Sequence, residues 1–497
     1  MAAGGYARAM PSRWNRGDPI RDGADYVESL RGRNLAVHLF GKRVDEPVDH
    51  PIIRPSINAV AATYDLAITD PDLASAMSAI TGQRVNRFVH VTEDASDVVD
   101  QNRMQRRLGR DTGTCFQRCV GMDAINALHS VTHDVDAAHG TGYHRRFLDW
   151  LAEVQRLNVV VGGAMTDVKG DRSAGPGGQA DPDMYVRVVE RRDDGVRIRG
   201  AKAHQTGAIN SHWMLVMPTA RLGPAERDYA IVCAIPVEAP GLTYVYGRQS
   251  SDTRSMEGSV DVGNSRFAGQ EALVIFDDVF VPAVHVFLDG EHEFAAELVE
   301  RFTNYHRRSY VCKSGVGDVL IGAAALIADY NGVPRASHIR DKIVEMSHLN
   351  ETIYGLGMAA SHESFQRPSG NWEPDPLLAN SCKLDVTRYP YEIGRLAQDL
   401  AGGAVVTLPS EQDFDDPNIG PLLDKYFRGR PDIPTADRVR VLRLIENMTM
   451  GRNAVGYLTE SLHGAGSPQA QRIVIERTTD LEAKKRLAAR LAGIDDT

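Results

Sequence analysis

The chain has 497 residues, of which 42% are hydrophobic and 25% charged. That excludes disorder over most of its length and is more chain than one core usually holds. Its net charge of −10 excludes the basic face of a nucleic-acid binder, while leaving room for a local basic pocket that takes a small anion.

Residues 1–22 carry arginines but no apolar stretch of the secretory kind, and Asp18, Asp22 and the following Asp25 weigh against a transit peptide. They are expected to form a flexible extension. No apolar run approaches the ~20 residues of a membrane span, so no membrane partner is expected. From 23 to 157 the pattern predicts a helical domain: ADYVESLRGRNLAVHLFG, NAVAATYDLAI, SDVVDQNRMQRRLG and VGMDAINALHSVTHDVDAAHG all space their apolar residues helically. From 158 to 290 the runs shorten and alternate. MYVRVVERRDDGVRIRGAKAH reads as a hairpin turning at Asp193–Gly195, and WMLVMPTA, YAIVCAIPV, LTYVYG and ALVIFDDVFVP follow as strands. This predicts a β-domain, a barrel or sandwich. From 291 to 497 long amphipathic stretches predict a helical bundle. The fold class is therefore α+β, mostly α. No GxGxxG follows a strand, so a Rossmann nucleotide site has no support.

Five cysteines, Cys115, Cys119, Cys233, Cys312 and Cys382, are too few and odd in number for a disulfide framework. A reducing, cytoplasmic setting is expected. Cys115 and Cys119 are spaced C-x3-C; in a helix both would lie on one face, as two thiolates on one cluster require. NYHRRSYVCKSGVGD then sets His306, Tyr310, Cys312 and Lys313 within eight residues. Three thiolates and an imidazole suit an iron–sulfur cluster or a Cys3His zinc, and spacing does not separate the two. Cys233 and Cys382, in a β-run and a helical stretch, read as buried structural residues.

The stretches DHPIIRPSINAVA, CFQRCVGMDA, GAMTDVKGDR, RGAKAHQTGAINSH, YGRQSSDTRSME, GQEALVIFDDVF, ASHIRDKIVEMSHLNETIYG and TESLHGAGSPQAQR resemble the 4-hydroxybutyryl-CoA dehydratase family. These FAD and [4Fe-4S] enzymes are related to the two-component 4-hydroxyphenylacetate 3-hydroxylases. The resemblance runs from about Ala24 to the C-terminus. It implies an acyl-CoA dehydrogenase-like fold, a homotetramer and an acyl-CoA substrate. It also implies cluster ligation by Cys115, Cys119, His306 and Cys312, with Glu271, Glu460, Tyr310, Lys313, Gln117 and Thr206 around the substrate. Flavin contacts are implied at Met165, Thr166, Asp167, Lys169, Gly170, Asp171 and Arg172, and at His204, Gln205 and Thr206. His463 is either site lining or bundle packing.

The implied reaction converts 4-hydroxybutyryl-CoA, or a close 4-hydroxyacyl-CoA, to crotonyl-CoA, with vinylacetyl-CoA Δ-isomerase activity beside it. The C3 proton is too weakly acidic for a side chain alone, which is why a redox flavin and a Lewis-acidic cluster are implied. His306 would serve as ligand, base or both, and Glu271 and Glu460 as acid–base groups. The competing reading is a two-component, FAD-dependent aromatic monooxygenase without iron. One departure stands out: the Tyr310-Val311-Cys312 segment is one residue shorter than the family pattern, with valine in place of glycines whose backbone freedom it lacks.

Overall fold

The computed structural model describes residues 17–248 and 258–494. Residues 1–16 of the expected extension, and most of YGRQSSDTRSME, lie outside the described residues.

The first half is built on four longer helices: α1 (Arg54–Thr69), α2 (Ala95–Thr112), α3 (Cys119–His139) and α4 (Tyr143–Leu157). Their ends are written locally. Asp94 caps α2 by accepting from Asp97 N, and Gly113 ends it at φ 59°. Gly140 ends α3 at φ 66°, and Asn158 ends α4 at φ 53°. ADYVESLRGRNLAVHLFG departs from the helical expectation. Its helix covers only Gly23–Ser29; Gly32 then turns at φ 72°, and Val37–Leu39 becomes β1, paired with β2 (Lys42–Val44). This hairpin joins the sheet of the middle region, so the β-layer begins before residue 158.

Apart from two short two-stranded ribbons, the other strands are β3 (Val161–Ala164), β4 (Arg187–Arg192), β5 (Gly195–Thr206), β6 (Trp213–Val216), β7 (Ile231–Pro236), β8 (Leu242–Tyr246), β9 (Glu271–Pro282) and β10 (Val286–Asp289). They form two open sheets among the described residues, ordered β2-β1-β8-β9-β5-β4 and β10-β7-β6-β3. Neither closes, which removes the barrel alternative. β4 and β5 are the expected hairpin. β5 pairs antiparallel with β9, and that register sets Glu271 opposite Thr206.

The C-terminal half contains α5 (Ala295–Ser309), α6 (Cys312–Tyr330), α7 (Ser337–His362), α8 (Pro376–Val386), α9 (Tyr389–Ala401) and α10 (Thr435–Thr449). The stretch after α10 breaks at Gly451, passes through a π-helical turn at Val455–Thr459 and ends in α11 (Glu460–His463). Within His292–Tyr330 one window has a mean hydropathy of 1.6, long and apolar enough to cross a membrane, against the expectation that none exists. It is 67% buried in the protein, as a core helix is.

Two large apolar cores fill the β-region with α1, α3 and α4, and the C-terminal bundle. Two small clusters lie beside them, one around Cys312 with Phe116, Met104 and Met122, the other around Tyr310, Val311, Ile353 and Cys382. Cys312 and Tyr310, both singled out from the sequence, lie in these small clusters.

Candidate active site

Cys115 lies in the loop between α2 and α3, and Cys119 is the first residue of α3. The C-x3-C pair therefore does not share a helical face. Gln117 sits at φ 67°, a left-handed conformation that breaks any helix through the motif. Its amide donates to Ser56 O at 2.9 Å and Ala268 O at 3.1 Å, and accepts from Asn210 at 2.7 Å. Gln117 thus fastens the loop. Two glycines let this loop pack closely: a Cβ on Gly269 or Gly456 would stand 3.6 or 3.5 Å from Cys115 Cβ.

α5 and α6 are almost continuous, interrupted at Tyr310–Val311, and this break carries His306, Tyr310, Cys312 and Lys313 into one buried volume. Val311 has φ −57° and ψ −18°, an ordinary right-handed conformation that needs no glycine. Its side chain fills a hole opposite Gly357 of α7, where a Cβ would come within 2.1 Å of Val311 Cγ1. The shortened segment is accommodated by a missing side chain on the neighbouring helix. Cys312 is held by a second such contact. α2 crosses α6 at Gly109 and Gly315, where added Cβ atoms would fall 2.5 Å from Cys312 O and 2.1 Å from Arg106 O.

His306 is buried, and its Nδ1 lies 2.8 Å from Asp123 Oδ2. Ser309 donates to the other carboxylate oxygen at 2.9 Å. Asp123 follows Cys119 by four residues on α3, so one helical turn spans a thiol and the histidine's partner. Tyr310 packs edge-on against His306, with ring centroids 5.3 Å apart.

The π-helical turn exposes the carbonyl of Gly456, which accepts from Lys313 Nζ, and Lys313 also pairs with Glu460 Oε2 at 2.8 Å. Burial disfavours the Lys313 ammonium, but the charges of Glu460, Cys312 and Cys115 hold its pKa well above the usual lysine value. Glu271 Oε1 accepts from Thr206 Oγ1 at 2.6 Å. Burial, then the charge of Glu460, raise the Glu271 carboxyl well above its ordinary range. Glu460 Oε1 is buried without a hydrogen-bond partner, and a Cβ on Gly269 would stand 3.7 Å from it.

Burial pushes the Cys115 and Cys119 thiols well up and that of Cys312 to about 11, and the charges of Cys119 and Cys312 act on Cys115. All five cysteines are unpaired. Cys233 and Cys382 are fully buried, as expected of structural residues. Among the described residues no three His, Cys, Asp or Glu side chains close on one point as a single metal ion requires.

The β-region contributes the segments expected to hold a flavin. Met165 N donates to Gln205 Oε1 at 3.0 Å, and Gln205 Nε2 donates to Thr166 O at 3.0 Å. Lys202, fully buried, ties Asp167 Oδ1, Met165 O and Met217 O together, and Thr219 takes the second Asp167 oxygen. Gln205 and Asp167 thus brace their own loop. Lys169, Gly170, Arg172 and His204 stand on its open side, half-buried to exposed. Lys169, Gly170 and His204 have φ of 79°, 52° and 38°, strained or glycine-type values clustered at one spot. Asp171 is exposed and accepts from Ser173 N and Oγ. Burial, then the neighbouring His463 and Lys169, lower the His204 pKa. His463 is exposed at this mouth and is not a bundle-packing residue.

Sequence reading missed Asp123, Lys202, Lys383 and the clearance glycines. Asp123 carried a signal in its i, i+4 spacing from Cys119; Lys383 carried none that set it apart from the other polar residues of its helix. The glycines carried none, because their partners lie far away in sequence.

Comparisons with known proteins fit this geometry. The profile for the 4-hydroxyphenylacetate 3-hydroxylase N-terminal region matches residues 22–288, and that for the C-terminal region matches 295–493. A 4-hydroxybutyryl-CoA dehydratase/vinylacetyl-CoA-Δ-isomerase from Clostridium aminobutyricum is 53% identical over 94% of this chain and 98% of its own. A solved oxygen-tolerant archaeal 4-hydroxybutyryl-CoA dehydratase from N. maritimus superposes with a TM-score of 0.95 at 64% identity, covering 96% of each chain. The oxygenase component of 4-hydroxyphenylacetate 3-monooxygenase complexed with FAD shares the fold, with a TM-score of 0.83 at 24% identity over 95% of this chain and 98% of that one. The chain belongs to the 4-hydroxyphenylacetate 3-hydroxylase family, and within it stands with the 4-hydroxybutyryl-CoA dehydratases.

Proposed function

We propose that the protein dehydrates 4-hydroxybutyryl-CoA, or a close 4-hydroxyacyl-CoA, to crotonyl-CoA, with vinylacetyl-CoA Δ-isomerase activity at the same centre. One observation carries the reading: the buried thiols of Cys115 and Cys312, the half-buried thiol of Cys119 and a carboxylate-held histidine lie together with Lys313, Glu460 and a Glu271 whose carboxyl is raised well above its ordinary range. A phenol monooxygenase has no use for this set of thiols.

The residues fit both implied cofactors. With Nδ1 on Asp123, His306 keeps Nε2 as its ligating nitrogen, the arrangement that metal-bound histidines use. A four-iron cluster is wider than one ion, so its ligands stand around it and need not meet at a point. Cys115, Cys119, Cys312 and His306 would hold it, and Lys169, Gly170, Arg172, His204 and Thr206 would face a flavin. When bound, the two groups supply a Lewis acid and one-electron chemistry.

The protein's own part follows from its polar contacts. Thr206 donates to Glu271 Oε1, and burial with the charge of Glu460 raises the Glu271 carboxyl well above its ordinary range, so its protonated form is favoured over that of an exposed glutamate. Glu271 is thereby the acid that can protonate a departing hydroxyl. Lys313 keeps Glu460 in place as the complementary base beside Glu271. Tyr310, packed against His306 and buried, excludes water and offers a phenol donor. The layout of a helical region, a β-region and a bundle is read as acyl-CoA dehydrogenase-like, working in the cytoplasm as a homotetramer.

Anaerobic purification with iron, sulfide and flavin analysis tests the proposal. It expects about four irons and one FAD per chain, and crotonyl-CoA from 4-hydroxybutyryl-CoA. Flavin without iron, with reductase-linked oxygen consumption on a phenol, would overturn it.

A further inference from the structure

Lys383 lies on α8 with none of its surface exposed, and the chemistry above gives it no part. Its ammonium stands over the Tyr310 ring, 4.5 Å from the centroid, and donates to Ser461 O at 2.6 Å. Ser461 follows Glu460 in α11, so one cation touches both the phenol ring and the turn that carries the carboxylate. Lys313 Nζ lies 5.5 Å from the same centroid, but Lys313 is paired with Glu460. No carboxylate pairs with Lys383 among the described residues. Burial, then the charges of Arg307 and Lys313, bring the Lys383 pKa down to about 7, so the ammonium form that acts on the ring predominates below neutral pH. A methionine would fill the same space without the cost of desolvating a charge, so packing alone does not account for a lysine here.

Tyr310 has a single seat. A Cβ on Gly464 would fall 1.5 Å from its hydroxyl oxygen, so the ring is bounded by α11 at its tip and by Lys383 on its face. We infer that Lys383 is a positioning residue for the reaction: its ammonium orients the Tyr310 phenol and strengthens it as a donor, while its bond to Ser461 O holds the Glu460 turn. A cation on the π face draws electron density from the ring, which makes the O–H more acidic and its hydrogen bond stronger. The kinetic part of the inference rests on the dehydratase reading; the effect on the phenol does not.

The test uses Lys383→Met, Lys383→Gln and Lys383→Arg in the iron- and flavin-loaded enzyme. In Lys383→Met, kcat for 4-hydroxybutyryl-CoA falls roughly 10- to 30-fold with KM changed far less, the scale of a desolvated cation–π contact. Lys383→Arg recovers most of the rate, whereas Lys383→Gln, which keeps a donor but no charge, stays low. Independently of turnover, 3-fluorotyrosine at position 310 reports the ring by 19F NMR at one fixed pH, and its resonance moves in Lys383→Met and returns in Lys383→Arg. Wild-type kcat in Lys383→Met, full rescue by Lys383→Gln or an unmoved 19F resonance would each overturn the inference. A moved resonance in a protein whose parent form does not turn over 4-hydroxybutyryl-CoA would sink the dehydratase reading and leave the contact of Lys383 with the Tyr310 ring standing.

Discussion

The two walls of the site are built on opposite principles. On the bundle side His306, Tyr310, Cys312, Lys313 and Lys383 are buried; His306 and Lys313 pair with carboxylates, and Tyr310 and Cys312 are seated against glycines. On the β side the 165–172 loop is braced from behind by Lys202 and Gln205 while Lys169, Gly170 and His204 stay open at unusual backbone angles. Burial tunes groups that must move protons or bind metal, because a dry environment magnifies each charge. An open, pre-shaped loop suits reversible contact with a large anionic ligand, because its donors are presented without having to be reorganised. Changes on the bundle side should therefore alter chemistry or folding, and changes on the β side should alter affinity.

Lys313→Met gives the largest expected effect. It leaves Glu460 without its cation, and kcat falls about 10²–10⁴-fold in a steady-state dehydration assay while flavin content holds. Unchanged kcat would break the contrast at its centre. Gly315→Ala comes next. Its methyl group would meet Arg106 O at 2.1 Å and force α2 and α6 apart, costing roughly 3 kcal/mol, read as a lower Tm. In Asp123→Asn the His306 Nδ1 loses its carboxylate, and iron affinity drops about 10- to 100-fold by chelator competition. On the other wall, Lys169→Ala weakens flavin about tenfold by equilibrium titration and leaves Tm unchanged, because Lys202 and Gln205 brace the loop. A large Tm loss there would blur the distinction between the two walls.

The smallest effect is on pH dependence. Glu271 is raised in the fold, so the native state holds a proton that the unfolded chain releases above the ordinary glutamate range. Its contribution is present in full at low pH and is lost as pH rises through the raised value. Without cofactors, denaturation of the wild type and of Glu271→Gln should diverge by about 1 kcal/mol from acid to neutral pH, the variant being the flatter. Parallel curves would remove Glu271 from the set of burial-tuned groups.

The order of helical, β and bundle regions was legible in the hydrophobic periodicities, and the residues that would carry chemistry were legible in unusual local combinations such as NYHRRSYVCKSGVGD. Local pattern failed where tertiary contact overrode it. ADYVESLRGRNLAVHLFG spaces its apolar residues helically, yet its second half pairs with β8 because a parallel strand partner was available. C-x3-C suggested one helical face, yet Gln117, bonded to three distant segments, holds Cys115 off the helix.

By itself the sequence determined the identity of the thiols, the histidine and the carboxylates, because residue type sets which metals, protons and charges a position can hold. The tertiary structure alone decided which of them act together and how. Asp123 found His306 across 183 residues, Gly357 made room for Val311, and Lys383 came to rest on the ring of Tyr310. Such pairings depend on helix crossings fixed by missing side chains, and a missing side chain leaves no local signature that names its distant partner.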